Sequence, residues 1–350
     1  MLKQAVPFVD LRGKTPMDLL RMFPDKAEEL VMAARRTYGL PSYLASAALM
    51  PLADRISRRW LERSHNPYLP EIDAMADMLS CRGVHALNVS FEWGCTSGIW
   101  KTGGTLSLLR VLDWPFPALG RHIVIAHQEG KAGDFYNITW PGVSGVFTAM
   151  APARFAASIN QAPMRRHKRG QLLDWLTNRR MASRQLALPA AHLLRQVFER
   201  AEHYQAAKAM LIETPLAVPA TFVLGGLKAG EACVIERLET RAEVIEMSAD
   251  YTLHATNHFT TSLAKEGKGW RPREIDSAGR YRHAASIGGH ELAQTGFGWL
   301  HAPVINANTR LCVLADPTTR RLMVQGYEGS LPVTELFHIP PSSYEHQEAV

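Results

Sequence analysis

A thiol, a guanidinium and a carboxylate stand close together in one stretch of this chain. Gly94-Cys95-Thr96-Ser97 is a run of small residues presenting a cysteine, and Leu109-Arg110-Val111-Leu112-Asp113-Trp114 follows it. A thiol becomes a nucleophile when it loses its proton, and a nearby cation favours that loss. Arg110 is the cation available for that task. Asp113 is three residues further on, so strand alternation turns it to the opposite face unless the strand ends or bulges between them. The other cysteines, Cys81, Cys233 and Cys312, are widely spaced and form no CxxC, which argues against a structural zinc site.

Other constellations carry less chemistry. Gly142-Val143-Ser144-Gly145 is followed by Val146 and lacks the last glycine of a serine nucleophile elbow. His254 and His258 have a spacing that suits a metal, but no third ligand accompanies them. Neither a metal nor a cofactor is expected. Met164-Arg165-Arg166-His167-Lys168-Arg169 is a basic run in an expected loop. It reads as a solvated face or, more sharply, as a clamp for an anionic group. No interleaved aromatics suggest base stacking, so nucleic acid is not the expected partner.

Cys95-Thr96-Ser97, with Arg110 and Asp113 at this spacing, resembles the cysteine N-terminal-nucleophile hydrolases. That group includes choloylglycine hydrolase, acid ceramidase, N-acylethanolamine acid amidase and the acyl-CoA:6-aminopenicillanate acyltransferases. Further stretches carry the resemblance. Thr139-Trp140-Pro141-Gly142 and then Asn160-Gln161 are similar to the family's turn and Asn-Glu pair, with Gln161 in place of the acid. Thr256-Asn257-His258-Phe259 matches the acyltransferase branch. Asp276-Ser277-Ala278-Gly279-Arg280 resembles a Ser-x-x-Arg segment, and Arg271, Arg273 and Arg282 compete with Arg280 for the family's distal arginine.

The resemblance implies an α+β fold, a four-layer αββα sandwich. It implies a precursor cut between Gly94 and Cys95, giving parts 1–94 and 95–350 of one compact fold. The freed α-amine, with a reference pKa of about 7.7–8.0, then takes the thiol proton. In this assignment Cys95 is the nucleophile, Arg110 stabilises the thiolate and Asp113 orients the amine. Asn257 and a backbone N–H hold the oxyanion, Asn160 assists, and Arg280 is the distal arginine. The implied reaction cleaves a small-molecule linear amide, N-acyl, bile-salt-like or ceramide-like, through an S-acyl enzyme. An acyltransferase is the alternative. A non-catalytic polyanion-binding protein using residues 165–169 is the alternative from another class.

The elements that must position these residues read as helices first and strands later. Residues 25–37 form an amphipathic helix with Leu30, Val31 and Ala34 on one face. Residues 40–53 are apolar and run into Arg55, Arg58, Arg59 and Arg63. That is a buried helix with a basic end, or one that docks a lipid or acyl substrate. Residues 70–79 form another helix. Beyond Cys95, short apolar runs at 105–111, 123–126, 135–139, 146–149 and 155–159 read as strands. Residues 189–213 are helical with a break near His203-Tyr204, residues 222–224 and 232–236 form a hairpin, and 302–305, 311–315 and 322–325 form a closing meander.

With 350 residues, 46% of them hydrophobic, the chain can bury a large core. A net charge of +6 suits anionic substrates or lipid surfaces and does not by itself argue for nucleic acid. The amino terminus lacks a signal peptide's apolar core, and no apolar run reaches transmembrane length. A cytoplasmic location, which keeps thiols reduced, is expected.

Overall fold

The computed structural model describes residues 3–38, 43–80, 83–89, 93–248, 252–271 and 276–341. Cys81 and Arg273 lie outside the described residues.

Among the described residues, one edge strand and five helices precede the cysteine: β1 (Phe8–Asp10), α1 (Pro16–Met22), α2 (Pro24–Tyr38), α3 (Tyr43–Arg63), α4 (Leu69–Leu79) and α5 (Val84–Asn88). Helix α4 shows why. Ile72, Met75 and Leu79 recur at helical spacing and are buried, Pro70 and Glu71 occupy the first turn, and Ser80 ends the helix in a left-handed conformation at φ 47°. These residues pack with Leu20, Val31, Trp60, Leu61 and Val84 into a separate apolar core.

Strands dominate after Gly94. They run β2 (Gly94–Thr102), β3 (Thr105–Asp113), β4 (Val124–Gly130), β5 (Gly133–Thr139), β6 (Thr148–Ala151), β7 (Phe155–Gln161) and β8 (Met164–Arg165). Helices α6 (Gln171–Ala182), α7 (Ala190–Arg200) and α8 (Tyr204–Glu213) follow. Next come β9 (Ala220–Gly225), β10 (Ala232–Arg237), β11 (Ala242–Glu246), β12 (Leu253–Ala255) and β13 (Trp270–Arg271). The described chain closes with α9 (Ser277–Ala285), α10 (Gly289–Ala293), β14 (Thr309–Asp316), β15 (Arg321–Glu328), β16 (Leu331–Pro332) and β17 (Phe337–Ile339).

Among the described residues two large sheets form, ordered β1-β4-β5-β6-β7-β9-β10-β11 and β12-β2-β3-β14-β15-β16, with β17 on β15. They lie face to face through β2, β3, β7 and β9. Period-two alternation sorts the side chains. Cys95, Ile99, Leu108 and Leu112 join the core between the sheets. Trp100, Leu109 and Val111 turn outward under α9 and α10, where Trp100 Nε1 donates to Ile287 O at 2.9 Å. On the far side α7 covers the other sheet, with Phe198 against Phe135 and Phe155 at 5.5 and 4.9 Å between ring centroids. The result is the four-layer αββα order expected above.

Two local expectations change. Residues 302–305 form turns and not a strand, because Pro303 has no N–H to offer a ladder. The basic run at 164–169 begins as β8, which pairs with β13, before becoming a loop.

Buried polar bonds stitch the helices before Gly94 to the later chain. Arg195 of α7 binds both Glu71 oxygens at 2.9 and 3.0 Å and Glu199 at 2.8 Å. Tyr68 OH donates to Glu199 at 2.7 Å, and Asn66 Nδ2 donates to His192 Nδ1 at 2.8 Å. Strand β1 adds in parallel to β4.

Candidate active site

Cys95 is the second residue of β2 and is fully buried. Its sulfur lies 3.7 Å from Ile159 O, and its backbone N–H donates to Asn257 Oδ1 at 2.8 Å. Gly98 makes that meeting possible. A Cβ there would collide with Leu253 O, so only glycine lets β12 come this close to β2. Asn257 lies just beyond β12.

Arg110 sits opposite Ser97 in the β2–β3 ladder and is fully buried. Its Nη1 donates to Ile159 O at 2.7 Å, to Asn160 Oδ1 at 2.6 Å and to Ser97 Oγ at 3.2 Å. Nε and Nη2 meet no oxygen among the described residues, and the Cys95 thiol is the group beside this guanidinium. Burial pushes the thiol pKa up and Arg110 pulls it down, with burial prevailing.

Asn160 spends both ends of its amide on the scaffold. Its Oδ1 accepts from Ser97 and Arg110, and its Nδ2 donates to Ala255 O at 2.9 Å and Thr256 O at 3.2 Å. It locks β7 to β12 and aims Arg110.

Asp113 faces away from Arg110, as alternation predicts. It accepts from Thr309 Oγ1 at 2.9 Å and lies 3.8 Å from Arg280 Nη1. Burial pushes its pKa up against the pull of Arg280. Arg280 in turn donates to Cys95 O, to Thr96 Oγ1 at 3.1 Å and to Asn257 Oδ1 at 2.8 Å. Among the described residues of that competing set, Arg280 is the buried one at this site. Arg282 is exposed, and Arg271 lies 3.9 Å from Asp174. Helix α9 carries Arg280 inward, and Asp276 caps that helix by accepting from Gly279 N–H at 2.9 Å.

Asn257 is the hub. Its Nδ2 donates to Gln161 O at 2.9 Å and Trp93 O at 3.5 Å, and its own N–H donates to Ser277 Oγ at 2.9 Å. His258 Nδ1 also meets Ser277 Oγ, at 2.8 Å. The rings of His254 and His258 pack against Tyr281 at 4.2 and 5.3 Å, and burial lowers both pKa values.

Sequence reasoning missed one support and gave a second, Gln161, no role of its own. Glu236 on β10 accepts from N–H and O–H of Thr260 at 2.6 and 2.9 Å, and of Thr261 at 3.1 and 2.6 Å. Its signal was an acid ending the apolar run Ala232-Cys233-Val234-Ile235. Gln161 Oε1 accepts from Trp93 N–H at 2.8 Å, holding the chain just before the cysteine.

An apolar cavity lies between the helices that precede Gly94 and the strands that follow it. It offers about 520 Å³, open mouth included, between α2, α5 and the strands, with Leu30, Leu87, Trp114, Phe116, Trp140 and Phe147 on its walls. Two of its wall residues, Trp114 and Phe147, pack against Trp93, with ring centroids at 5.2 and 5.0 Å.

A cysteine whose sulfur and backbone nitrogen are both held near the start of a central strand, inside an αββα sandwich, is the arrangement that the resemblance to the N-terminal-nucleophile hydrolases implies. Sequence comparison agrees. The chain is 33% identical over 217 residues to acid ceramidase of Heterocephalus glaber, covering 56% of this chain and 53% of that protein. It is 29% identical over 178 residues to N-acylethanolamine-hydrolyzing acid amidase of Cavia porcellus, covering 49% and 48%. The chain thus spans about half the length of the curated relatives it matches. No family model matches. Superposition on the Caenorhabditis elegans ortholog of the latter amidase gives a TM-score of 0.46 at 18% identity, over 64% of this chain and 93% of that one. Over about half its length the chain is thus similar to acid ceramidase and to N-acylethanolamine-hydrolyzing acid amidase.

Proposed function

We propose that this protein cuts itself before Cys95 and then cleaves linear amides that carry an apolar acyl half. One observation carries the reading: Asn257 binds the Cys95 nitrogen while Arg110 stands at the Cys95 sulfur.

In the uncut chain the Cys95 nitrogen is an amide and has no useful basicity. The thiol attacks the Gly94 carbonyl, the C–N bond gives way to a thioester, and water hydrolyses that thioester to leave a free α-amine. The amine then takes the thiol proton and the thiolate attacks a substrate carbonyl. The leaving amine departs with that proton, and water, deprotonated by the α-amine, releases the acid. Arg110 stabilises the thiolate. Asn257 holds the α-amine through Oδ1 and offers Nδ2 to the developing oxyanion once Trp93 withdraws. Arg280, itself set by Asp113, keeps the carbonyl of Cys95 and the Asn257 amide in place.

The acyl half enters the apolar cavity, whose walls are aliphatic and aromatic side chains. Leu52 and Ile56 on α3 and Leu172, Leu173 and Leu176 on α6 are exposed, a surface suited to substrate arriving from a lipid phase. The resemblance to amidases of lipid-like substrates supports this reading.

Intact mass spectrometry beside an N-acyl amide assay is the test. Wild type is expected as two pieces joining at Gly94 and Cys95, and Cys95→Ala as one folded, inactive chain. A fully active wild-type protein that remains a single chain refutes the amine-as-base mechanism.

A further inference from the structure

One helix holds Asn257 from both ends. Arg280 of α9 donates to its side-chain Oδ1 at 2.8 Å, and Ser277, the first residue of α9, accepts its backbone N–H at 2.9 Å. The Ser277 hydroxyl is free for that task because Asp276 caps the helix. Thr256, Asn257 and Ser277 are all buried. His258 is half-buried and reaches the same hydroxyl, its Nδ1 lying 2.8 Å from Ser277 Oγ and 3.1 Å from Thr256 Oγ1.

Proton counting fixes how these groups are joined. Each hydroxyl has one hydrogen to give. Thr256 spends its hydrogen on Ser277 O at 3.0 Å, since a carbonyl only accepts. Ser277 spends its own on Thr256 Oγ1, also at 3.0 Å. Neither has a hydrogen left for His258, so the hydrogen between Ser277 Oγ and the ring belongs to Nδ1. Ser277 Oγ then accepts from Asn257 N–H and from His258 Nδ1–H and donates to Thr256. A ring protonated on Nε2 alone would present a lone pair, draw the Ser277 hydrogen to itself and break the bond to Thr256. Among the described residues every hydrogen bond of the ring runs through Nδ1. Tyr281 packs edge-on against the ring at 5.3 Å and holds its plane. Burial lowers the ring's pKa, Glu236 pulls it up and Arg280 pushes it down, which leaves the ring neutral near neutrality.

Building on the amidase reading above, we infer that His258 is a positioning residue for Asn257: its Nδ1–H fixes the Ser277 hydroxyl as acceptor of the Asn257 N–H. That bond sets where the Asn257 amide meets the Cys95 nitrogen and the developing oxyanion. Without the ring, Ser277 Oγ can rotate and the Asn257 backbone loses its anchor, while Arg280 keeps only the side-chain end. A displaced Asn257 raises the barrier and leaves the apolar hold on substrate alone, so kcat falls and KM does not move.

The test compares His258→Asn, His258→Gln and His258→Ala with wild type in N-acyl amide hydrolysis and in hydrogen exchange at the Asn257 amide. Asparagine puts an Nδ2–H where Nδ1–H was, whereas glutamine reaches only towards Nε2. His258→Asn should keep kcat within about threefold of wild type, and the other two should lose about tenfold with KM unchanged. Exchange at Asn257 should quicken in the glutamine and alanine variants and not in His258→Asn. Nuclear magnetic resonance of protein carrying isotopically labelled histidine gives a direct signature. The His258 signal, identified by its absence from the variants, should show hydrogen on Nδ1 and a bare Nε2. A bare Nδ1 overturns the inference. So does equal loss in all three variants, which would make His258 a packing residue, and so does turnover and exchange unchanged in all of them. A wild-type protein that hydrolyses no amide overturns the amidase reading, and exchange and resonance then still decide whether His258 holds Asn257.

Discussion

Asn257 Oδ1 and the Cys95 N–H, 162 positions apart in the chain, meet at 2.8 Å. The same oxygen accepts from Arg280 Nη2 at 2.8 Å, and the same side chain donates to Gln161 O at 2.9 Å. One amide therefore connects β2, β7 and α9 at the point of the proposed cut. In the proposed mechanism the nitrogen it holds becomes the base only after cutting, which gives this residue a part in both proposed reactions.

Asn257→Ala should slow self-cleavage and turnover together. Loss of one preorganised donor costs about 2.7–4 kcal/mol of barrier elsewhere, so at least a tenfold fall in kcat is expected. Circular dichroism checks that the fold persists, and time-resolved intact mass follows the cut. Normal turnover in a folded variant would remove Asn257 from the site.

Arg110→Met should raise the pKa of the Cys95 thiol in the cut enzyme, because the cation that lowers it is gone. Alkylation of Cys95 by iodoacetamide, followed by mass against pH, should then need a more alkaline solution than in wild type. Unshifted alkylation profiles would show that Arg110 does not act on the sulfur.

Much of this site is local and could be read in advance. Cys95 and Arg110 sit on adjacent strands of a tight hairpin, and alternation already placed Asp113 on the opposite face from Arg110. Burial was legible too, since Leu30 and Val31, read on one face of the 25–37 helix, lie inside. What spacing could not reveal are the pairings between distant segments. Nothing near Asp113 announces Arg280, and nothing near Asn160 announces that its Nδ2 is spent on Ala255 and Thr256 carbonyls. The choice among Arg271, Arg280 and Arg282 depended on which one α9 turns inward. The strand expected at 302–305 failed because its apolar residues do pack inside, yet Pro303 denies the backbone a ladder.

Glu236→Gln should loosen the segment after Asn257. A carboxylate accepts from all four Thr260 and Thr261 donors, whereas an amide turns an NH2 towards two of them. The expected result is a several-fold lower kcat with KM little changed, and faster hydrogen exchange at the amides of Thr260 and Thr261. Exchange equal to wild type would show that Glu236 does not hold this loop.

His192 makes stability depend on acid. It is fully buried, and its Nδ1 accepts from Asn66 Nδ2 at 2.8 Å, so the ring carries its proton on Nε2. Burial first, and Arg195 second, bring its pKa from 6.5 down to about 3. Below 6.5 the unfolded chain binds a proton that the folded chain refuses. The stability due to the neutral ring is therefore complete above 6.5 and drains away as pH falls towards 3, by up to about 1.4 kcal/mol per pH unit. His122, His254 and His258, lowered chiefly by burial as well, act in the same direction. Asn66 precedes the proposed cut and His192 follows it, so acid also weakens a contact between the two pieces. Urea unfolding at pH 7, 6, 5 and 4 tests this, with His192→Gln as the comparison, because its Oε1 can still accept from Asn66 but does not titrate. The variant should lose close to one proton's worth of the slope below pH 6.5. Parallel curves for the two proteins would mean that His192 is protonated inside the folded chain.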